Sequence, residues 1–397
     1  LSATITTMAS LMPHHDDPHA DAHALSEHHH QHQEEEEDEG EICSICLETL
    51  PRWATEFVRF TCCGKGIHKE CEAQLNTSAC SQNCPMCRTP ALTSDEEIHK
   101  RSLRWAKKGK AWAMAMVGFN FAHGKGVSES KEMARLWFEK SAEQGDPDAQ
   151  YNLGVLHYIG EGGPVSKEKA RLWWEKLAQQ GYPEAQYHLS AMHDKGEGGL
   201  PVSKEKARVW YEKAAEQGHS VSQYFLGLLH ANGEGGPVSM EKARLWYEKS
   251  AEQGHPEAQY NLSAMHALGE GGLPVSKEKA RLWYEKSAEQ GYLKAQFNLG
   301  HMHALGEGGP VSKEKARVWY EKSAEQGHPK AQFNLGVMHS NGEGGPVSKE
   351  KARLWFEKAA EQGHPRAQYN LGIMHDTGVG GPVSKEKARL WFEKAAE

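Results

Sequence analysis

The stretch PDAQYNLGVLHYIGEGGPVSKEKARLWWEKLAQQG, residues 147–181, reads as two helices joined by a tight turn. Pro147 suits the first turn of a helix, where its missing N–H would be unpaired anyway, and Gly160 suits the end. EGGPV follows, in which the paired glycines permit positive φ and Pro164 blocks helix continuation. Ser166 reads as the N-cap of a second helix. Within that helix Ala170, Trp173, Trp174 and Leu177 recur at helical spacing and make the expected buried stripe. Arg171 and Glu175, four apart on the outer side, form a modest ion pair, and Gly181 closes the helix. Ala149, Gly154 and Ala170 are small enough to let neighbouring helices approach closely.

The stretch repeats. Gln150, Gln186, Gln223, Gln259, Gln296, Gln332 and Gln368 share one register at intervals of 36 or 37 residues. The extra residue comes from EGGLP in place of EGGP, at Leu200 and at Leu273. Such a period means stacked supersecondary units, none of which can bury its apolar face alone. Eight units begin near Ala111, Pro147, Pro183, Ser220, Pro256, Leu293, Pro329 and Pro365 and fill residues 111–397. The last stops at Glu397, before the glycine that ends every complete unit, so truncation is expected there.

The pattern A-x-Y-x-LG, followed by G-x-G and by KA-x-x-W-[YF]-EKAAEQG, resembles that of Sel-like repeats, relatives of the tetratricopeptide repeat. The resemblance implies a right-handed α-solenoid that serves as an adaptor surface for a protein substrate or adaptor. Where such repeats usually carry Tyr, this chain has His157, His193, His230, His266, His303, His339 and His375. Packed helices lie about 8–10 Å apart, too far for equivalent imidazoles to share a metal with bonds of about 2 Å. These histidines are therefore expected to pack where an aromatic usually packs. The tryptophan ladder (Trp137, Trp173, Trp210, Trp246, Trp283, Trp319, Trp355, Trp391) is likewise expected in the core.

The first hundred residues differ. Residues 1–40 form a low-complexity tail, rich in histidine and then in acid at EEEEDEGE, too polar to offset the entropy of ordering. The chain begins with Leu rather than Met, so its start is expected to be missing. No apolar run reaches the eighteen or so residues of a membrane span. A net charge of -8 argues against a general nucleic-acid binder. All eight cysteines fall between Cys43 and Cys87. Their C-x2-C pairs at both ends of the cluster favour metal ligation in a reducing compartment, hence an intracellular protein, cytoplasmic or nuclear.

The cluster has four pairs: Cys43/Cys46, Cys62/Cys63, His68/Cys71 and Cys84/Cys87. Tetrahedral zinc takes four N/S ligands, so four pairs supply two closed, structural sites with no open position to activate water. The order CSIC, CC, HKEC, CPMCR resembles a RING finger, over residues 41–92. The resemblance implies a small zinc-stabilised α+β domain in which the first pair joins the third and the second joins the fourth. Cys43, Cys46, His68 and Cys71 would then hold one zinc, and Cys62, Cys63, Cys84 and Cys87 the other. Lys65 stands where such fingers place a ligand, and Cys62 restores the count, with Cys80 as its rival. Too small to bury much apolar surface, this module would draw its folding free energy from zinc.

RING fingers serve mostly as ubiquitin ligases that bring a charged ubiquitin-conjugating enzyme to a substrate and contribute no nucleophile. The resemblance matches Ile45, Leu75 and Pro85 to the apolar contacts with that enzyme. It matches Arg88 to the linchpin that bridges enzyme and ubiquitin, a task suited to a multi-donor guanidinium. Leu75 stands where many relatives have Trp, which makes a smaller patch. The alternative reading is a non-catalytic zinc-binding scaffold. Between the two modules, residues 93–110, Ser94 and Glu97 have capping-box spacing, so a linker helix is expected, with Leu103 and Trp105 available to pack on the first unit.

Overall fold

The structure, a computed structural model, describes residues 57–59, 66–69 and 94–396. Strand Phe57–Arg59 pairs antiparallel with strand Gly66–His68, so that Phe57 lies opposite His68 and Arg59 opposite Gly66. All the rest of the described structure is helix and turn, seventeen helices among the described residues. The chain divides into two compact units, residues 1–166 and 167–397.

In the first unit the linker helix runs Asp95–Lys107. Ser94 caps it by accepting from the Glu97 N–H at 3.3 Å; acids crowd its first turn, and Arg104 and Lys107 its last, as the helix dipole favours. Leu103 and Trp105 pack on Ala113, Met114 and Val117 of helix Ala111–His123, together with Trp137 of helix Lys131–Ala142. Helix Pro147–Ile159 completes this unit, with Pro147 at its start and Gly160 at φ 79 at its end. Asp146 caps it through the Ala149 N–H at 2.9 Å.

The second unit begins with helix Lys167–Gln179 and continues in pairs. Each first helix (Pro183–Lys195, Ser220–Asn232, Pro256–Leu268, Leu293–Leu305, Pro329–Asn341, Pro365–Thr377) ends on a left-handed glycine. Each second helix (Lys204–Glu216, Met240–Glu252, Lys277–Glu289, Lys313–Glu325, Lys349–Glu361, Lys385–Ala396) follows a serine whose hydroxyl accepts a first-turn N–H. A helix-turn-helix solenoid results, as the period implies. Local chemistry sets the helix ends, and packing between neighbours supplies the stability.

The buried layer is built from small and large residues in alternation. In one layer Ala207, Tyr211 and Ala215 pack on Leu226 and Leu229; in another Ala316, Tyr320 and Ala324 pack on Leu335 and Met338. Each fully buried leucine contributes about 1.5–3 kcal/mol of transfer free energy. Close approach is made at a glycine in most units: a Cβ on Gly227 would lie 2.7 Å from the Tyr247 ring, and on Gly300 2.8 Å from the Tyr320 ring. Where Ser190 and Ser263 hold that position, their hydroxyls turn back onto the Gln186 and Gln259 carbonyls.

The tryptophan ladder departs from expectation. Trp355 and Trp391 are buried, but Trp137, Trp173, Trp210, Trp246, Trp283 and Trp319 are only half-buried. The helical register gives the centre of each interface to the next residue, such as Trp174, Tyr211, Tyr247 and Tyr284. The indoles lie at its edge, where a lysine three residues on covers the ring: Lys213 sits 4.1 Å from the Trp210 centroid and Lys286 4.1 Å from that of Trp283. Such cation–π contacts are worth about 0.5–1 kcal/mol at exposed sites.

Candidate protein-binding face

Each first helix buries one stripe and leaves another open. In Pro256–Leu268 the buried stripe is Ala258, Gln259, Leu262, Ser263, Met265 and His266. Glu257, Tyr260, Asn261, Ala264 and Ala267 stay half-exposed on the other side. The same register repeats down the second compact unit and produces a ladder of aromatic residues: Tyr187, Tyr224, Tyr260, Phe297, Phe333 and Tyr369.

These rings are held on both sides. Phe297 lies 5.8 Å from the Tyr320 ring and stacks on His328 at 4.7 Å; Phe333 lies 5.7 Å from Phe356 and stacks on His364 at 4.7 Å. Beside them, Asn298 and Asn334 hydrogen-bond the buried Tyr284 and Tyr320 hydroxyls, whose pKa burial pushes up to about 12. Phe356 offers no hydroxyl, and at that layer a recess of about 290 Å³ opens, lined by Val337, Phe356, Asn370, Ile373 and Met374. The aromatic ladder is thus a floor of half-exposed rings ending in the exposed Tyr369, suited to binding an extended chain. Rigid aromatic side chains lose little entropy on binding, which is why interfaces favour them.

A family profile described as the Sel1 repeat matches residues 113–146, 147–182, 183–219, 220–255, 256–292, 293–328, 329–364 and 365–397. The chain belongs to the Sel1 repeat family. Among solved structures it is similar to c5321, a protective antigen of uropathogenic Escherichia coli displaying an SLR fold. That match has a TM-score of 0.70 at 34% identity over 75% of this chain and 64% of that one, a little under two thirds of the relative's length. A Sel1 repeat protein from Oxalobacter formigenes matches with a TM-score of 0.56 at 32% identity, covering 77% of this chain and 90% of that one. No curated protein matches the chain.

The Sel1 histidines are buried as expected, His230 and His339 to 2% exposure, but they do more than fill aromatic positions. The backbone carbonyl of each accepts the N–H of the serine that opens the next helix, from Ser239 to His230 at 2.9 Å and from Ser348 to His339 at 2.9 Å. In five of the seven the ring meets an arginine of the preceding unit, as where Arg208 Nη2 lies 3.1 Å from His230 Nδ1 and Arg317 Nη2 2.8 Å from His339 Nδ1. Burial and these cations push His230, His303 and His339 down to about 4. Among the described residues no three metal-ligating groups come together.

A second set of histidines caps Sel1 helices. His219, His255, His328 and His364 stand where Asp146 caps the first-unit helix, and each Nδ1 accepts the N–H three residues on, at 3.2–3.4 Å. A constant position before the helix-starting residue was the available signal. The buried glutamines form a third ladder: Gln259 Nε2 donates to the Ala251 carbonyl at 3.1 Å while its Oε1 accepts from Gln290 at 2.8 Å.

Of the expected zinc ligands, His68 ends the second strand, opposite Phe57. The remaining candidate ligands and the candidate contacts with a conjugating enzyme lie outside the described residues. Among the described residues no helix is long and apolar enough to cross a membrane.

Proposed function

We infer that this protein is an adaptor whose Sel1 array binds protein partners on the open face of its first helices. The observation that carries this reading is the aromatic ladder from Tyr187 to Tyr369, in which Tyr224, Phe297 and Phe333 stack on the capping histidines His255, His328 and His364. Affinity capture with the full chain and quantitative mass spectrometry tests it. Partners retained by the wild type should be lost from an Ala264→Glu/Val337→Glu variant, which places charge on the open face. They should be kept by Lys279→Gln/Lys315→Gln on the second helices. Partners lost from the second variant alone would reject the assignment.

A finer reading rests on the cysteine spacing. The donor set of seven cysteines and His68 fits two tetrahedral zinc ions, Cys43, Cys46, His68 and Cys71 at one and Cys62, Cys63, Cys84 and Cys87 at the other. Zinc would stabilise a RING module whose Ile45, Leu75, Pro85 and Arg88 engage a ubiquitin-conjugating enzyme, with the Sel1 array selecting the substrate. Zinc content and self-ubiquitination over a panel of conjugating enzymes test it, with Arg88→Ala alongside. A protein that holds two zinc ions and transfers no ubiquitin is a scaffold instead.

A further inference from the structure

The open face changes sign along the array. The second residue of each first helix is Glu184, Val221 and Glu257 in three successive units, then Lys294, Lys330 and Arg366 in the next three. All three cations are exposed, and none forms an ion pair with a described residue. The acidic half differs: Glu257 lies 3.3 Å from His255. Asp376, the acid on the last first helix, is taken up by Lys385 at 2.7 Å. The local field follows. Beside burial, the charged groups that act on His328 (Lys330, Lys294) and on His364 (Arg366, Lys330) are cations, whereas Glu257 acts on His255.

Apolar surface accompanies the charge. Phe297 stacks on His328 and Phe333 on His364, each pair lying next to the cations of its two units. The recess lined by Val337, Phe356, Asn370, Ile373 and Met374 opens beside the same helices and is wide enough for one aliphatic or aromatic side chain.

We propose that the face formed by residues 293–377 is the docking site for an extended acidic peptide segment of a protein partner, with Lys294, Lys330 and Arg366 pairing its carboxylates and the recess taking an apolar side chain. This deepens the adaptor reading and rests on it. An extended chain advances about 3.3 Å per residue, so carboxylates repeated along it can meet successive cations of the row. Charge complementarity of this kind sets partner choice and association rate.

A fluorescein-labelled peptide of about twelve residues repeating Glu-Leu-Ser is the probe, its Lys-Leu-Ser counterpart the control, both titrated into the full chain by fluorescence anisotropy. The acidic peptide should bind, more weakly as salt is raised, and the basic one should not. Lys294→Glu/Lys330→Glu/Arg366→Glu should weaken binding about tenfold or more. Lys279→Glu/Lys315→Glu/Lys351→Glu, equal in charge but on the second helices, should stay within about twofold. The milder Lys294→Gln/Lys330→Gln/Arg366→Gln variant should fall between, and covers the case of a reversal variant that fails to fold. Equal affinity for both peptides, or an acidic peptide indifferent to both first-helix variants, overturns the proposal. Captured partners that depend on Ala264 and Val337 but survive the reversal of the three cations would leave the adaptor standing and remove the acidic peptide.

Discussion

Arg208 Nη2 donates to Nδ1 of His230 at 3.1 Å, from the second helix of one unit into the first helix of the next. Arg135 and His157, and Arg317 and His339, repeat the pairing at 2.6 and 2.8 Å. Arginine only donates, so Nδ1 carries a lone pair and the imidazole is neutral with its proton on Nε2. Two arginines break the series. Arg171 turns to Glu175 at 2.9 Å and to the Gly198 carbonyl at 2.8 Å; Arg244 approaches Glu248 at 3.8 Å. His193 and His266 are left with Nδ1 buried and unpartnered. These two histidines belong to the units that carry Leu200 and Leu273. There the second loop glycine takes positive φ (Gly199 and Gly272, both 78) and stands clear of its neighbours, whereas in the shorter loops Gly236 rests on the Arg208 guanidinium.

Loop length should therefore decide whether the latch closes. Deleting Leu273 is expected to bring Arg244 onto His266 and to stabilise that junction by about 1.5–3 kcal/mol, the range for a hydrogen bond to a charged group. Hydrogen exchange of helix Pro256–Leu268 reads the change locally, which suits an array whose units open separately. Unchanged protection would mean that something other than the inserted residue diverts the arginine.

Acid should loosen the whole array. The imidazoles of His219, His230, His303 and His339 are held at about 4, burial being the main cause, against 6.5 when unfolded. His188, stacked on Trp174 at 4.2 Å, is held at about 3. Between those values the unfolded chain binds more protons, so stability is complete above about pH 6.5 and falls as pH drops towards 4. Melting temperature measured from pH 7.5 to 4 should follow that course. Replacing His219, His255, His328 and His364 by Asn keeps the caps without the titration, and should flatten the slope; an equal slope would exclude the cap histidines as its source.

Much of this architecture could be read from residues 147–181 alone, because Pro147, Gly160 and the capping serines act through neighbours within a few positions. The same locality hid the rest. Trp173 and Trp174 are both apolar at helical spacing, and only the packing register shows that Trp174 is buried while Trp173 sits at the edge. His230 and Arg208 are 22 residues apart on different helices, so no local pattern joins them. Histidine is also outside the usual set of cap residues, which left His328 and His364 unread. The charge change from Glu257 to Lys294, Lys330 and Arg366 was present in the sequence, yet it meant little until those positions fell on one open face.

Packing against glycine should be graded by shape. Gly227→Val would force two methyl groups against the Tyr247 ring, already 2.7 Å from a single Cβ there, and is expected to cost about 1–3 kcal/mol or more. Gly227→Ser should be much milder, because Ser190 and Ser263 hold the equivalent place with their hydroxyls on their own helix. Thermal unfolding of the pair checks this. Equal losses would show that the tyrosine ring cannot give the few tenths of an ångström it gives in the neighbouring layers.

The glutamine ladder should be the most sensitive polar element. Gln259 is 4% exposed and satisfies two partners, the Ala251 carbonyl as acceptor at 3.1 Å and the Gln290 amide as donor at 2.8 Å. Gln259→Leu keeps the volume but strands both groups, each at about 1–3 kcal/mol when buried without water. Gln290 reaches the Lys286 carbonyl as well, at 3.4 Å, so its loss is partly offset and the carbonyl of Ala251 carries most of the cost. A net destabilisation of about 2–3 kcal/mol is expected, seen as lost exchange protection in helices Met240–Glu252 and Pro256–Leu268 while the units near Pro365 keep theirs. A uniform loss across the array would mean instead that the ladder couples every layer, and that the units unfold together.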